Sequence, residues 1–346
     1  QGNLNAISPA AYNNVEGLNL EPGTYISIIG KDDSSSYWTN VKKGVMQAAD
    51  DLNKELGYKG SDKIKVTYNA PAKSEDIDEQ VNILDEELSR YPDAVGIASI
   101  DSAACSVQFD LATANGIPVI SLDSGNEYKG IQCIVKTDNE DAARTGAYKL
   151  ANEIGDEGQV ILVVHDSNSE TAKERAKSFE EEIKNNYPSV SIVETIYCDK
   201  LDDLKKKIAV EKDPNMSEDL QKAAVEKMTD DEVMQYYLEK YPDLKGVFGT
   251  NESSTIFALE ALQKTELAGK VALVGFDISE EQTAAMKNGE ISGLVVQNPF
   301  GMGYASVVAA ARTVLQSGNE AVVDTGYIWV TKDNLEDESI QNMLYK

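Results

Sequence analysis

From Thr24 onward, short apolar runs rich in β-branched residues alternate with longer stretches of helical period, almost to the C-terminus. The runs predict strands over Tyr25–Gly30, Ile64–Asn69, Ala94–Ser99, Pro118–Asp123 and Gln132–Thr137. A second set follows over Gln159–His165, Ser191–Cys198, Gly246–Thr250, Lys270–Phe276 and Ile291–Gln297. The helical period predicts Trp38–Leu56, Asp76–Arg90, Ala142–Ile154, Ala172–Asn185, Ser253–Lys264 and Tyr304–Gln316. Runs that are apolar on both faces, separated by helices, belong to parallel sheets covered on both sides. Gly57 and Gly116 follow helical stretches as C-caps, and Ser279-Glu280-Glu281-Gln282 has capping-box spacing. Five strands precede Asp138 and five follow it, so the pattern predicts an α/β protein of two similar doubly wound lobes. Two segments break the rhythm. Residues 1–23 carry no apolar period and read as a flexible leader. Residues 208–232 are charged and contain Asp213-Pro214-Asn215, which predicts a solvated helical insertion on the second lobe.

Composition narrows the chemistry. The 346 residues suit about two domains. Asp plus Glu number 59 against 32 Lys plus Arg, a formal charge of −27. Such a surface repels nucleic acid and anionic membrane alike. No apolar run approaches the ~20 residues of a membrane-spanning helix. Cys105, Cys133 and Cys198 are far apart and form no CxxC, which argues against a zinc or redox motif. His165 is the single histidine, so chemistry that needs two imidazoles is excluded. No cofactor and no metal are expected. Arginine is confined to Arg90, Arg144, Arg175 and Arg312, which makes each one informative.

Ligands of open α/β sheets bind beyond the carboxyl ends of the strands. Here those ends are polar in both halves: Lys31-Asp32-Asp33 with Tyr37-Trp38 close behind, Ser99 to Ser102, Asp123-Ser124, His165-Asp166, Thr250-Asn251-Glu252, Asp277 and Gln297-Asn298. Asp, Asn and Ser also cap helices at such places, so one residue alone decides little. Seven ends together with an adjacent aromatic pair favour binding of a polyhydroxylated, uncharged ligand. Its hydroxyls both donate and accept, and an aromatic face covers its C–H side.

Several stretches resemble the type I periplasmic solute-binding proteins, in the ribose-binding-like branch that serves bacterial ABC sugar importers. They are SSYWTNVKKG (Ser35–Gly44), GIPVISLDS (Gly116–Ser124), TAKERAKSF (Thr171–Phe179), GVFGTNES (Gly246–Ser253), VGFD (Val274–Asp277) and GLVVQNPFGMG (Gly293–Gly303). They lie in family order and span nearly all of the chain from Thr24. The resemblance implies two lobes joined by a three-strand hinge, near Val135–Asp138, Gln297–Phe300 and Asp324–Tyr327. Lobe one would hold 24–137 plus 298–325, and lobe two 138–297 plus 326–346. It implies stacking aromatics at Tyr37 and Trp38, a hydroxyl-binding carboxylate at Asp123, and second-lobe contacts from Arg175, Asn251, Asp277 and Gln297. Lys31, in a first loop longer than the family's, completes the ligand-binding set. Ser124 stands where ribose binders have an arginine after Asp123, and Ala98 or Ser99 where they have an asparagine. These departures leave room for another pentose or a hexose. The implied protein is a monomeric, non-enzymatic, extracytoplasmic receptor that hands a monosaccharide to an ABC permease. It would be periplasmic or lipid-anchored at the cell surface, with its export signal outside this sequence.

Other signals are weaker. Gly301-Met302-Gly303 opens a helix after a strand, but Ser306 occupies the third glycine position of a dinucleotide fingerprint. Asp213 begins a calcium-loop-like run that has Glu218 where glycine is needed and Ala224 where a bidentate glutamate is needed. His165 has no nucleophile motif beside it and reads as part of a cleft wall. The rival functions are the ligand-sensing core of a LacI-type regulator, a sugar-sensing receptor partner, and an enzyme on a doubly wound sheet. The regulator would need a helix-turn-helix and a basic arm, which residues 1–23 lack. The enzyme would need a nucleophile elbow, a P-loop or a metal cluster.

Overall fold

The structure is a computed structural model that describes residues 11–341 and Leu344. The chain runs through β1 (Tyr25–Ile29), α1 (Ser36–Leu56), β2 (Lys65–Asn69), α2 (Ile77–Leu88), β3 (Ala94–Ile97), α3 (Ser106–Ala114), β4 (Val119–Leu122) and β5 (Ile134–Lys136). It continues with α4 (Asn139–Glu153), β6 (Gly158–Val164), α5 (Glu170–Asn186), β7 (Val190–Tyr197), α6 (Leu201–Lys212), α7 (Glu218–Lys227), α8 (Asp230–Lys240) and β8 (Leu244–Gly249). Next come α9 (Glu252–Lys264), β9 (Ala272–Phe276), α10 (Glu280–Lys287), β10 (Gly293–Gln297) and α11 (Pro299–Val314). The chain closes with β11 (Val322–Asp324), β12 (Tyr327–Val330) and α12 (Glu338–Gln341).

These elements build two doubly wound lobes. One six-stranded sheet has the order β11-β5-β4-β3-β1-β2 and the other β12-β10-β9-β8-β6-β7. The pairings are parallel except β10 with β12, which is antiparallel. Central strands such as β3 and β10 are buried along their whole length, as their unbroken apolar runs require. The chain passes between the sheets three times: after β5, after β10, and between β11 and β12. After the second passage α11 returns to the first sheet, where its small residues Ala305, Ala309 and Ala310 are buried. It meets α1 backbone to backbone. A Cβ added at Gly303 would stand 2.0 Å from the Val41 carbonyl oxygen, and one at Gly44 the same distance from that of Phe300.

One expectation needs correction. Residues 1–10 of the expected flexible leader lie outside the described residues, but 11–22 are packed. Tyr12, Val15, Leu18 and Leu20 are buried against the first lobe, and the Tyr12 hydroxyl donates to Asn319 Oδ1 at 2.9 Å. Their spacing matches neither helix nor strand, so no period betrays them. The charged stretch 208–232 runs from the end of α6 through α7 into α8. It is solvated along α7, which buries no residue, and at its start Ile208 and Ala209 are buried.

Candidate functional site

The carboxyl ends of both sheets face one another across a cavity of about 330 Å³, at the small end of the range for ligand pockets. Two carboxylates hold matching places in it. Asp123 follows β4 and Asp277 follows β9, each in the left-handed backbone region at φ 60° and 70°. Each backbone N–H donates at 2.7 Å to the neighbouring strand, Asp123 to the Val135 carbonyl and Asp277 to that of Val295. Aspartate tolerates this conformation better than most residues, and the turn aims both side chains into the cavity wall.

A hydrogen-bonded network orients these carboxylates. The Tyr37 hydroxyl donates to Asp123 Oδ1 at 2.6 Å, and Lys31 Nζ stands 3.7 Å from Asp123 Oδ2. Gln297 Nε2 donates to Asp277 Oδ1 at 2.7 Å, while its Oε1 accepts from Arg175 at 3.0 Å and Thr137 at 2.7 Å. Arg175 also donates through Nε to Asn139 Oδ1 and through Nη1 to the Thr250 carbonyl. Its guanidinium lies 4.2 Å above the Phe276 ring. Arg175 is 3% exposed and Gln297 2%, so these contacts satisfy groups that would be costly to bury alone.

The apolar side of the cavity comes from Tyr37 and Trp38 at the start of α1, and from Ile256 and Phe257 on α9. Ser35 caps α1, and the two rings stand edge to face at 5.2 Å. Asn251 caps α9, its Oδ1 accepting from the Ser254 N–H at 2.8 Å, so this residue has both a capping role and a place in the wall. His165 Nδ1 lies 2.8 Å from Thr250 Oγ1; burial drives its pKa down to about 3, and the ring is neutral. Burial, reinforced by the Asp277 carboxylate, pushes Glu252 up to about 7.

All eight residues singled out in the sequence line this cavity: Lys31, Tyr37, Trp38, Asp123, Arg175, Asn251, Asp277 and Gln297. The sequence reading missed the contributions of Glu75, Thr171 and Phe257, and it named Glu252 at a strand end without placing it in the ligand-binding set. Ser253, Ile256, Phe257 and Glu260 fall at i, i+3, i+4 and i+7, and this spacing marks the cavity face of α9. The lobes also touch directly. Lys31 Nζ donates to Thr171 Oγ1 at 3.3 Å, the Thr171 N–H to Ser124 Oγ at 3.3 Å, and the Ser102 N–H to the Asn168 carbonyl at 3.2 Å. Among the described residues no His, Cys, Asp and Glu group is arranged to hold a metal ion, and no helix is long and apolar enough to cross a membrane.

Residues 26–319 match the family described as periplasmic binding protein domain, and the chain belongs to that family. Among curated relatives, the ribose import binding protein of Bacillus subtilis is 23% identical over 80% of this chain and 77% of its own. A carbohydrate transporter solute binding protein from Agrobacterium radiobacter, solved with D-arabinose, superposes with a TM-score of 0.76 at 27% identity. That match covers 93% of this chain and 98% of the other. An ABC transporter solute binding protein from Agrobacterium vitis, with bound D-fucose, gives 0.76 at 26% identity over 93% and 100%.

Proposed function

We propose that this protein is an extracytoplasmic sugar receptor that encloses one pentose or hexose between its lobes and delivers it to an ABC import permease. The observation that carries this reading is the pair Asp123 and Asp277: one carboxylate per lobe, at matching strand ends, facing a single cavity of monosaccharide size. Lys31, Arg175, Asn251 and Gln297 supply the other polar contacts, and Tyr37 and Trp38 cover a C–H face of the ring. The lobes are 24–137 plus 298–325 and 138–297 plus 326–346, with the three chain passages between them as the hinge. The protein acts as a monomer and as a carrier without turnover, free in the periplasm or held by a lipid at the cell surface. A thermal-shift panel of D-arabinose, D-fucose, D-allose, D-ribose and disaccharides tests the reading. A ligand that binds only the folded state raises the melting temperature by mass action. A monosaccharide should give the largest rise. A panel without any rise, followed by calorimetry without heat, would remove the sugar from the reading.

A further inference from the structure

Glu252 opens α9 as the acidic residue of its first turn, but it is not the cap. Asn251 caps that end, and the Glu252 backbone N–H donates to Asp277 Oδ2 at 3.1 Å. Its side chain instead reaches across the cleft. Ser36 Oγ donates to Glu252 Oε1 at 3.0 Å, and the Tyr37 backbone N–H also donates to the carboxylate. Ser36 and Tyr37 begin α1, so the carboxylate meets the positive end of a helix in the opposite lobe. The next side chains along are the rings of Tyr37 and Trp38. We propose that Glu252 is a positioning residue for ligand capture, a latch that fixes the Tyr37–Trp38 wall when the cleft shuts and that takes up a proton as it does so.

The second half of this inference stands on the other carboxylate oxygen. Glu252 Oε2 is sealed from solvent and has no hydrogen-bond partner among the described residues. An ionised carboxylate with one oxygen sealed and unpaired is disfavoured. The charged groups that face it, Asp277 after β9 and Asp32 after β1, are both acidic. Glu260, further along the same helix, adds a third carboxyl to the wall. The cavity's cations are engaged elsewhere, Lys31 with Asp123 and Thr171, Arg175 with Asn139, Thr250 and Gln297. Parting the lobes would return water to the carboxyl and its pKa to the ordinary carboxylate range. The closed form then binds the proton more tightly than the open form. Its advantage is present in acid and is lost as pH rises through about 7.

This rests on the proposal that the ligand is held between the lobes, and the experiment separates the two. Calorimetry with D-arabinose should show roughly tenfold tighter binding at about pH 5.5 than at about pH 7.5, with net proton uptake. Glu75, the cavity's other raised carboxyl, pushed up to about 8 by burial and by Asp166, is first replaced by Gln in parent and variants alike. In that background Glu252→Gln keeps an acceptor for Ser36 and Tyr37 and should bind equally at both pH values. Glu252→Ala should weaken binding at both. Solution scattering of the sugar-free protein should show a more compact parent in acid and a Glu252→Gln variant that does not respond. Parent affinity independent of pH, or a pH response that survives in Glu252→Gln, overturns the latch. If D-arabinose does not bind, the choice of sugar is at fault and scattering alone decides: a parent equally compact at both pH values overturns it.

Discussion

Trp38 shows how one residue serves a fold and a site together. It is 6% exposed and belongs to the first turn of α1, yet its ring also lines the cavity beside Tyr37. Trp38→Ala should weaken sugar binding by roughly 1–3 kcal/mol by removing an apolar face from the ligand. Because the ring is buried, the variant should also melt at a lower temperature. Calorimetry that finds the parent's affinity would reduce Trp38 to packing alone. His165 carries a different prediction. Its pKa is lowered by burial from an ordinary value near 6.5 to about 3, so the folded state favours the neutral ring. The sign follows: this stabilisation is complete above the unfolded pKa and is lost as pH falls from about 6.5 toward about 3. Thermal melts of the parent should fall across that window, and His165→Gln should fall less. At this scale most of the candidate site was legible in the sequence, because strand-end positions point at Asp123 and Asp277, and the resemblance to the family implies Arg175, without any coordinates. Glu75 was not. It comes from a loop after β2 and lines the cavity only because the two lobes bring distant loops together.

At the scale of elements, the strands and helices came through the hydrophobic pattern with systematic errors at their starts. α1 begins at Ser36, α4 at Asn139 and α11 at Pro299, each two to five residues before the first residue read from the pattern. These first turns are largely polar or proline-capped, so the apolar period is silent there while the caps at Ser35, Asp138 and Asn298 already fix the helix. β11 and β12, three and four residues long, are not among the strands read from the pattern, and they are placed by pairing with β5 and β10. The contact between α1 and α11 was equally silent, since only coordinates reveal why Gly44 and Gly303 must lack side chains. With the Val41 carbonyl oxygen 2.0 Å from where a Cβ would lie, Gly303→Ala has to push the helices apart. Overpacking of this kind costs about 1–3 kcal/mol or more. The variant should show a lower denaturation midpoint with an unchanged slope. Because α11 follows directly on Gln297, the helix shift should also weaken sugar binding; a variant as stable as the parent would show that the crossing relaxes without cost.

At the scale of the whole molecule, closure is the property that the sequence can only imply through its resemblance to a family, and the cross-cleft bonds give it a physical basis. Lys31 with Thr171, Thr171 with Ser124 and Ser36 with Glu252 join the lobes directly. Each of these is a single hydrogen bond with a net value of about 1 kcal/mol, offset by hydration of the same groups in the open form. With the hinged closure proposed here, bonds of this size would hold the lobes together only weakly in the absence of ligand. A sugar that touches Asp123 in one lobe and Asp277 in the other binds the closed form better, and the population shifts by that difference in affinity. Asp277 should matter most on its side, because hydrogen bonds from sugar hydroxyls to a buried carboxylate are worth about 1.5–3 kcal/mol each. Its removal also frees Gln297 Nε2 and the Glu252 N–H from their acceptor, so the wall loosens along with the ligand contact. Asp277→Ala should fold with a reduced melting temperature. In solution scattering it should stay open at sugar concentrations that close the parent. Asp277→Asn keeps one acceptor oxygen but sets an NH2 against either Gln297 Nε2 or the Glu252 N–H, so it should recover only part of the stability and part of the affinity. If Asp277→Ala closes and binds like the parent, the carboxylate serves only the Glu252 N–H and Gln297, and the second lobe grips the sugar through Arg175 and Asn251 instead.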